Sequence, residues 1–239
     1  MSLNHDTALV TGAARGIGKA LVQELLDRGV KKVYAVGKSE TVKTVFAGNS
    51  KVVALIADVS DAASVAKAAA QAKDVTLVFS NAGVLDFGDI LSVSTETLKR
   101  NFDTNFYGQL NVAKSFAPII EGNGGGHLTN LLTVVSLASM PGLAAYNASK
   151  AAAWSLTQSL RADLAKKGIK VHGVFPGPVD TDMAAAITFP KTSAADVAKA
   201  IVDGVIAGDE DIFPDEMAKQ VYAGWKADHK AIEKQFASM

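Results

Sequence analysis

The chain has 239 residues, of which 49% are hydrophobic, and its 24 Lys and Arg balance its 24 Asp and Glu. The balanced charge argues against binding of nucleic acid or anionic membrane surfaces, and no apolar run is long enough to span a bilayer. The chain has no cysteine, which excludes disulfides and thiolate metal sites. The length suits one α/β domain over 1–239, and the N-terminal residues resemble no export signal, so a cytoplasmic protein is expected.

Short β-rich runs alternate with helical patterns along most of the chain. The predicted strands are Thr7–Val10, Lys32–Val36, Val52–Ala57, Val75–Phe79, His127–Val135 and Lys170–Phe175, with a short seventh strand around Asp211–Phe213. The predicted helices cover 16–28, a short part of 39–46, 62–72 with Asp61 as its N-cap, 95–117, 146–167, 193–207 and 217–236. This alternation predicts a doubly wound, Rossmann-type α/β fold with a seven-stranded parallel sheet and helices on both faces.

Residues of unusual chemistry follow the predicted strands, at the end where parallel sheets bind their ligands. In chain order they are Thr11-Gly12, Gly37-Lys38, Asp58, Ser80–Gly83, Thr133–Ser139 and Pro176–Pro178. Random placement would scatter such residues over both ends of the sheet. Their distribution predicts one cleft.

A glycine-rich segment, Thr11–Gly18, joins the first predicted strand to the first predicted helix. Glycines at such a junction permit a tight turn and let backbone N–H groups approach a pyrophosphate at the helix N-terminus. A glycine-rich turn without a ligand is the alternative. The position of the motif in a strand–helix–strand unit favours a dinucleotide.

Tyr146 and Lys150 lie four residues apart, which places them on one face of the predicted helix. A lysine beside a phenol favours the phenolate and can lower the tyrosine pKa by roughly 1–3 units from about 10. Such a phenol can act in general acid–base catalysis near neutral pH. By themselves these residues are more typical of an ordinary amphipathic helix, because such pairs are common, so the interpretation depends on the rest of the chain.

Taken together, the motifs make the chain similar to the short-chain dehydrogenase/reductase family, in its classical form. The resemblance covers nearly the whole chain and rests on motifs in the family's order and spacing. They are Thr11–Gly18, Asn81-Ala82-Gly83, Asn105, Tyr146-x-x-x-Lys150 and Pro176-Gly177-x-Val179-x-Thr181.

The resemblance implies four catalytic residues. Tyr146 would be the general acid, protonating a carbonyl oxygen as hydride arrives from the nicotinamide. Lys150 would hold the nicotinamide ribose and lower the pKa of Tyr146. Asn105, at a kink in the long helix, would hold a water that relays protons to Lys150, although Asn101 and Asn111 on the same helix are alternatives by composition.

The fourth catalytic position, which orients the substrate, is usually a serine in the family. Thr133 occupies it here, because it precedes Tyr146 by the family's usual 13 residues, whereas Ser136 precedes it by only 10. Thr133 keeps a hydroxyl, so catalysis is expected to survive. A milder departure is Ser80 before Asn81, where the family has a second asparagine.

The choice of cofactor depends on the residues after the second strand, where an acidic side chain suits NAD and a basic one suits the 2′-phosphate of NADP. Lys38 stands there, Arg15 supplies a second cation, and no carboxylate follows before Glu40. NADP is therefore predicted ahead of NAD, with Asp58 at the adenine.

The resemblance also implies further cofactor contacts. Asn81 would shape the floor of the site, and Val179 and Thr181 would bind the carboxamide. The full predicted set is Gly12, Arg15, Gly16, Ile17, Gly18, Lys38, Asp58, Val59, Asn81, Ala82, Gly83, Tyr146, Lys150, Pro176, Gly177, Val179 and Thr181.

No metal site is predicted, because the histidines show no ligand spacing. They are His5, His127, His172 and His229. Trp154 and Trp225 are expected to serve packing. The small apolar face within Ala151–Leu160 is, by resemblance, a subunit interface of a homodimer or homotetramer.

The sequence thus predicts an NADP(H)-dependent oxidoreductase that interconverts a secondary alcohol and a ketone, or an aldehyde. Residues 182–192 are expected to form a substrate lid, whose apolar character suggests a small or hydrophobic substrate. The alternatives are an NAD-dependent alcohol dehydrogenase of the same fold and a catalytically silent dinucleotide-sensing protein.

Overall fold

A computed structural model describes Leu3 and residues 6–239 as one α/β domain built on a seven-stranded parallel sheet. The strands of this sheet are β1 (Thr7–Thr11), β2 (Lys32–Gly37), β3 (Val52–Ile56), β4 (Leu77–Ser80), β5 (Gly126–Leu131), β6 (Ile169–Val174) and β9 (Asp211–Ile212). Their order across the sheet is β3-β2-β1-β4-β5-β6-β9. Two further short strands, β7 (Val179–Asp180) and β8 (Thr192–Ser193), pair with each other in a separate parallel ladder.

Helices connect successive strands and cover both faces of the sheet. They are α1 (Gly16–Asp27), α2 (Thr41–Val45), α3 (Ala62–Gln71), α4 (Thr95–Phe102), α5 (Gly108–Gly122), α6 (Ala144–Leu164), α7 (Ala194–Ala207), α8 (Glu216–Ala227) and α9 (His229–Ala237). The fold class and the parallel sheet predicted from the alternating pattern are confirmed. None of the helices in the described part of the chain could cross a membrane.

Alternate residues of the central strands pack on opposite faces of the sheet, as strand geometry requires. Ala8 and Val10 of β1 join a core with α1 and α7, whereas Leu9 of the same strand joins a core with α3, α5 and α6. Both faces of β1 are fully buried. This explains why the central strands are continuous apolar runs in the sequence.

The predicted and the observed secondary structure differ in several elements. The fifth strand ends at Leu131, not Val135, because Val134–Ser136 form a 3-10 turn that begins with Thr133 as its N-cap. The predicted helix 217–236 is two helices, because the Asp228 carboxylate accepts hydrogen bonds from the next helix's first N–H groups. The β7–β8 ladder was not predicted.

A π-helical turn, Asp103–Tyr107, joins α4 to α5 within the stretch 95–117, where the sequence predicts one long helix with a kink at Asn105. Such turns are wider than an α-helical turn and occur frequently at functional sites. Here the turn contains Asn105, whose side chain is fully buried. The kink expected around Asn105 is therefore present as a π turn.

Candidate active site

One large cavity of about 960 Å³ crosses the carboxyl ends of the strands, from β3 to β6. Almost all residues predicted to bind the cofactor or to act in catalysis line it, and the two exceptions are Gly18 and Asn105, which do not reach its surface. The lining also includes most of the predicted lid, 182–192. The sequence prediction of a single cleft therefore agrees with the geometry of the described chain.

The glycine-rich turn after β1 fits closely against the end of β4. A Cβ on Gly18 would lie 2.2 Å from the Gly12 carbonyl oxygen, and one on Gly12 would lie 2.9 Å from Ala82 Cα. Gly12 also has a positive φ of 64°, which favours glycine. A side chain therefore does not fit at Gly12 or Gly18. The absence of side chains at these two positions leaves the backbone accessible to a ligand in the cavity, as a dinucleotide phosphate requires.

Asn81 and Thr11 hold this floor in place. The Asn81 amide donates a hydrogen bond of 2.8 Å to the Thr11 carbonyl, and the Thr11 hydroxyl accepts from the backbone N–H groups of Asn81 and Ala82, both at 3.0 Å. These bonds join the ends of β1 and β4. The role of Thr11 was missed in the sequence, where it was noted only as the start of the glycine motif.

Tyr146 and Lys150 lie on the first turns of α6 and both line the cavity. The Lys150 ammonium donates a 2.6 Å hydrogen bond to the Leu131 carbonyl at the end of β5, and it lies 5.8 Å from the centroid of the Tyr146 ring. Lys150 is almost completely buried. Burial lowers the pKa of Lys150 to about 8.

The expectation that Lys150 lowers the pKa of Tyr146 is contradicted. Burial raises the pKa of Tyr146 to about 12, and the hydrogen bond with Thr133 opposes this only in part. The physical reason is that the lysine bonds to a backbone carbonyl instead of the phenol. Desolvation therefore exceeds the attraction that a four-residue helix spacing suggested.

Thr133 stands at the substrate-orienting position, beside Tyr146. Its hydroxyl donates to the Pro176 carbonyl at 3.3 Å, accepts from the Val135 N–H at 3.4 Å and faces the cavity. Ser136, the other candidate, is buried and does not line the cavity. The separation of 13 residues from Tyr146 therefore selected the hydroxyl that faces the cavity.

Asn105 lies behind the cavity wall, where its amide joins three elements. Its oxygen accepts from the Val84 N–H at 2.9 Å, and its nitrogen donates to the Val84 carbonyl at 2.9 Å and the Ser149 hydroxyl at 3.0 Å. The side chain therefore links the loop after β4 to α6. Both alternative asparagines have other partners: Asn101 bonds to Asp86, and Asn111 bonds to the Val59 carbonyl.

The two predicted phosphate-binding cations lie in different environments. Lys38 is exposed and forms a 2.9 Å salt bridge with Asp58, whereas Arg15 is exposed and has no hydrogen-bonding or charged partner within Leu3 and residues 6–239. Asp58 also accepts bonds from Ser60. Of these two cations, Lys38 is thus already in a salt bridge, whereas Arg15, within the described residues, is not.

The Pro176–Thr181 loop is held by a residue that the sequence did not reveal. The carboxylate of Asp215, 5% exposed, accepts 2.8 Å hydrogen bonds from the Gly177 N–H and from the Ala218 N–H in the first turn of α8. It joins the loop to the C-terminal helices and brings Met217 into the cavity wall. An aspartate before a helix predicts an N-cap, but no sequence pattern indicates its second bond.

The remaining residues singled out in the sequence lie away from the cavity. His127 and His172 pair with each other at 2.9 Å between β5 and β6, and His5 lies outside the described residues. In the described part of the chain no three His, Asp or Glu side chains cluster as metal ligands do. Trp154 packs edge-on against Phe175 and Trp225.

Comparison with known proteins agrees with this geometry. The family model described as short chain dehydrogenase matches residues 6–191. A curated relative, 1-deoxy-11-beta-hydroxypentalenate dehydrogenase from Streptomyces avermitilis, is 33% identical over 204 residues, which cover 81% of this chain and 76% of that protein.

Solved structures share the fold over nearly the full length. A short chain dehydrogenase from Burkholderia cenocepacia in complex with NADP has a TM-score of 0.93 at 33% identity, and covers 99% of both chains. A short-chain dehydrogenase/reductase from Burkholderia phymatum in complex with NAD has a TM-score of 0.86 at 27% identity, and covers 98% of this chain and 96% of that one. The fold, the site and these similarities together show that the chain is an oxidoreductase of the classical short-chain dehydrogenase/reductase family.

Proposed function

We propose that the protein is an NADP(H)-dependent oxidoreductase that interconverts a secondary alcohol and a ketone, or an aldehyde. The observation that carries the proposal is the meeting of Tyr146, Thr133 and Lys150 in the cavity that the glycine-rich turn borders. A sensor of dinucleotides would have no need for a phenol, a hydroxyl and an ammonium at one point.

The side chains suit reduction of a carbonyl at neutral pH. The cofactor, when bound, supplies a hydride to the carbonyl carbon. With a pKa of about 12, Tyr146 is protonated at neutral pH and is ready to donate its proton to the carbonyl oxygen. The Thr133 hydroxyl lies beside it to hold the same oxygen.

Lys150 acts after the proton has left Tyr146. The positive charge of Lys150 stabilises the phenolate because Lys150 is buried and Tyr146 is partly buried, and charges interact more strongly there than in water. A lysine with a pKa of about 8 also gives up its proton readily to restore the phenol. In the reverse direction, the phenolate accepts the proton of the alcohol.

We propose that Asn105 supports the proton relay chiefly by position. Both hydrogens of its side-chain amide are already donated. A relay water would therefore have to donate to the side-chain oxygen or to the backbone carbonyl of Asn105. Its bonds to Val84 and Ser149 fix the loop and the helix between which Lys150 lies. A Cβ on Gly83 would lie 3.2 Å from its amide oxygen and 3.7 Å from the lysine nitrogen.

The preference for NADP rests on Arg15. Arg15 lies within the glycine-rich turn. Its side chain has no partner within the described residues, so it can bind a 2′-phosphate. The structural neighbour in complex with NADP supports this choice. The Lys38–Asp58 pair and the neighbour in complex with NAD support the second candidate, an NAD-dependent alcohol dehydrogenase.

Three further features belong to the proposal. The segment 182–192 would act as the substrate lid, because the β7–β8 ladder joins its two ends and most of it lines the cavity. The exposed small residues Ala151 and Ser155, one turn apart on α6, would contact a second subunit in a homodimer or homotetramer. We also propose a cytoplasmic location.

A screen of ketones and aldehydes with NADPH and with NADH tests the function directly. Turnover with NADPH that disappears in Tyr146→Phe is the expected result. Turnover with NADH alone would favour the second candidate. Binding of a dinucleotide without turnover of any carbonyl compound or alcohol would favour a silent sensor.

A further inference from the structure

The cavity is charged at one end and apolar at the other. Its charged side chains follow β1, β2 and β3, where Arg15, Lys38 and Asp58 border the adenosine half of the proposed cofactor site. At the other end, around Tyr146, the lining is almost entirely apolar. The difference follows from the strand order, since β3 and β6 lie far apart in the sheet.

Hydrogen bonds place three separate segments at the Tyr146 end. Gly88 donates to the Gly142 carbonyl at 2.8 Å and accepts from Ala144, so the loop with Phe87 is fixed against the start of α6. The Asp215 bonds bring α8 and its Met217 to the same end.

The lid is the third of these segments. The pairing of Val179 with Thr192 closes the base of the lid, from which Met183, Ile187 and Phe189 line the cavity.

Methionines are concentrated at this end. Met140, Met183 and Met217 all line the cavity, although the whole chain has only 5 methionines. Each comes from a different segment: the stretch before α6, the lid and α8. Methionine side chains are flexible and polarizable, and they adapt to large apolar ligands and contact aromatic rings favourably.

No side chain at this end could neutralise an anionic group of a substrate. Among the described residues that line it, Lys150 and Asp182 carry the charges. Lys150 already donates a hydrogen bond to the Leu131 carbonyl and takes part in the proposed reaction. Asp182 would repel an anion. A carboxylate or phosphate would therefore be desolvated without a partner, which is strongly unfavourable.

We infer that the substrate is a ketone with a large apolar group and no anionic group, which lies between Phe87, the lid and Met217 while its oxygen contacts Tyr146 and Thr133. This inference rests on the proposed function and specifies its substrate class. The apolar group gains binding energy from burial roughly in proportion to the area removed from water. Anionic oxo acids and sugar phosphates are excluded.

Three ketones test the inference with NADPH: 2-acetonaphthone, its anionic analogue 6-acetyl-2-naphthoate, and butanone. The expected kcat/KM is highest for 2-acetonaphthone and lower by about tenfold or more for both others, because one adds an unpaired charge and the other lacks apolar area. An equal or higher kcat/KM for 6-acetyl-2-naphthoate would overturn the exclusion of anions. A higher value for butanone would overturn the large apolar group.

A substitution of Met217 is expected to shift the preference from the neutral toward the anionic naphthyl ketone. Met217→Lys should raise kcat/KM for 6-acetyl-2-naphthoate and lower it for 2-acetonaphthone. Met239→Lys is the matched control, because Met239 is exposed and does not line the cavity, and it should change neither value. Equal effects of the two variants would show that Met217 does not contact the substrate.

Binding separates this inference from the proposed function. The dissociation constants of the same three compounds are measured by calorimetry on the wild-type protein saturated with NADP. Absence of turnover with every ketone would contradict the proposed function, whereas tighter binding of 2-acetonaphthone would still support the ligand class. If 2-acetonaphthone bound no more tightly than the other two compounds, the ligand class would be overturned, whatever the turnover.

Discussion

Lys38 and Asp58 form a 2.9 Å salt bridge across the carboxyl ends of the neighbouring strands β2 and β3. Burial alone would raise the pKa of Asp58, but its hydrogen bonds from Ser60 and the Lys38 ammonium lower it instead. The carboxylate is thus ionised at neutral pH and already neutralises the lysine. The two residues that the sequence assigned to different parts of the cofactor act on each other.

The first prediction follows from this pair and concerns the cofactor. Arg15→Ala should raise the KM for NADPH about tenfold or more, because a charge-assisted hydrogen bond to a 2′-phosphate contributes about 1.5–3 kcal/mol. Lys38→Ala should have a smaller effect, since its charge is shared with Asp58. Steady-state kinetics with both cofactors measures this. An equal loss with NADH in Arg15→Ala would show that Arg15 does not bind the 2′-phosphate.

The second prediction concerns the general acid. Tyr146→Phe removes only the hydroxyl, so kcat should fall by about 10²–10⁴-fold while the dissociation constant of NADPH stays unchanged. Single-turnover kinetics and a fluorescence titration with NADPH provide the two values. A variant that retained most of the wild-type kcat would rule out Tyr146 as the proton donor.

The third prediction distinguishes the two hydroxyls near Tyr146. Thr133→Ala should lower kcat by about one or two orders of magnitude, in line with loss of a positioned polar group in a dry site. Thr133→Ser keeps the hydroxyl and should retain most activity. Ser136→Ala is the matched control and should be mild, because this serine does not line the cavity. A severe Ser136→Ala beside a benign Thr133→Ala would reverse the assignment.

The fourth prediction concerns stability. Lys150 is buried with a lowered pKa, so Lys150→Met should abolish activity yet raise the free energy of unfolding at pH 7 by about 1–3 kcal/mol. That gain corresponds to several °C in Tm for a chain of this length. Lys166→Met, on an exposed lysine beyond the end of the same helix, should leave Tm unchanged.

The pH dependence of this effect has a definite sign. Between the folded pKa of about 8 and the ordinary lysine pKa of 10.5, the unfolded chain holds a proton that folded wild-type protein lacks. Stability of the wild type relative to Lys150→Met therefore rises with pH across this window. Thermal unfolding from pH 7 to 10.5 measures it, and an advantage of the variant that grew with pH would contradict the cause assigned here.

Local patterns in the sequence were sufficient to predict the fold, and together with the family resemblance they predicted many of the residues that line the cavity. Glycine spacing, strand alternation and the Tyr146–Lys150 spacing are short-range features, and the structure brings their residues into one cavity. The pKa of Tyr146 was not predictable, because it depends on burial and on which acceptor Lys150 contacts. The role of Asp215 was also hidden, since it bonds to a loop 38 residues earlier.

Errors in element ends have a similar origin. The run from Leu131 to Val135 is rich in β-branched residues and favours a strand, but the Thr133 hydroxyl caps a 3-10 turn there instead. The prediction of one helix over 217–236 did not consider Asp228, whose carboxylate caps the second helix. Local capping therefore decided both cases.

The π turn at Asp103–Tyr107 makes the position of Asn105 and the packing of α5 depend on each other. A helix turns by about 100° per residue, so deleting one residue from this turn would rotate all of α5 relative to α4. The buried side chains of the 15-residue α5, among them Val112 and Phe116, would leave the core. Gain or loss of a single residue in this turn would therefore alter both the position of Asn105 and the packing of a whole helix.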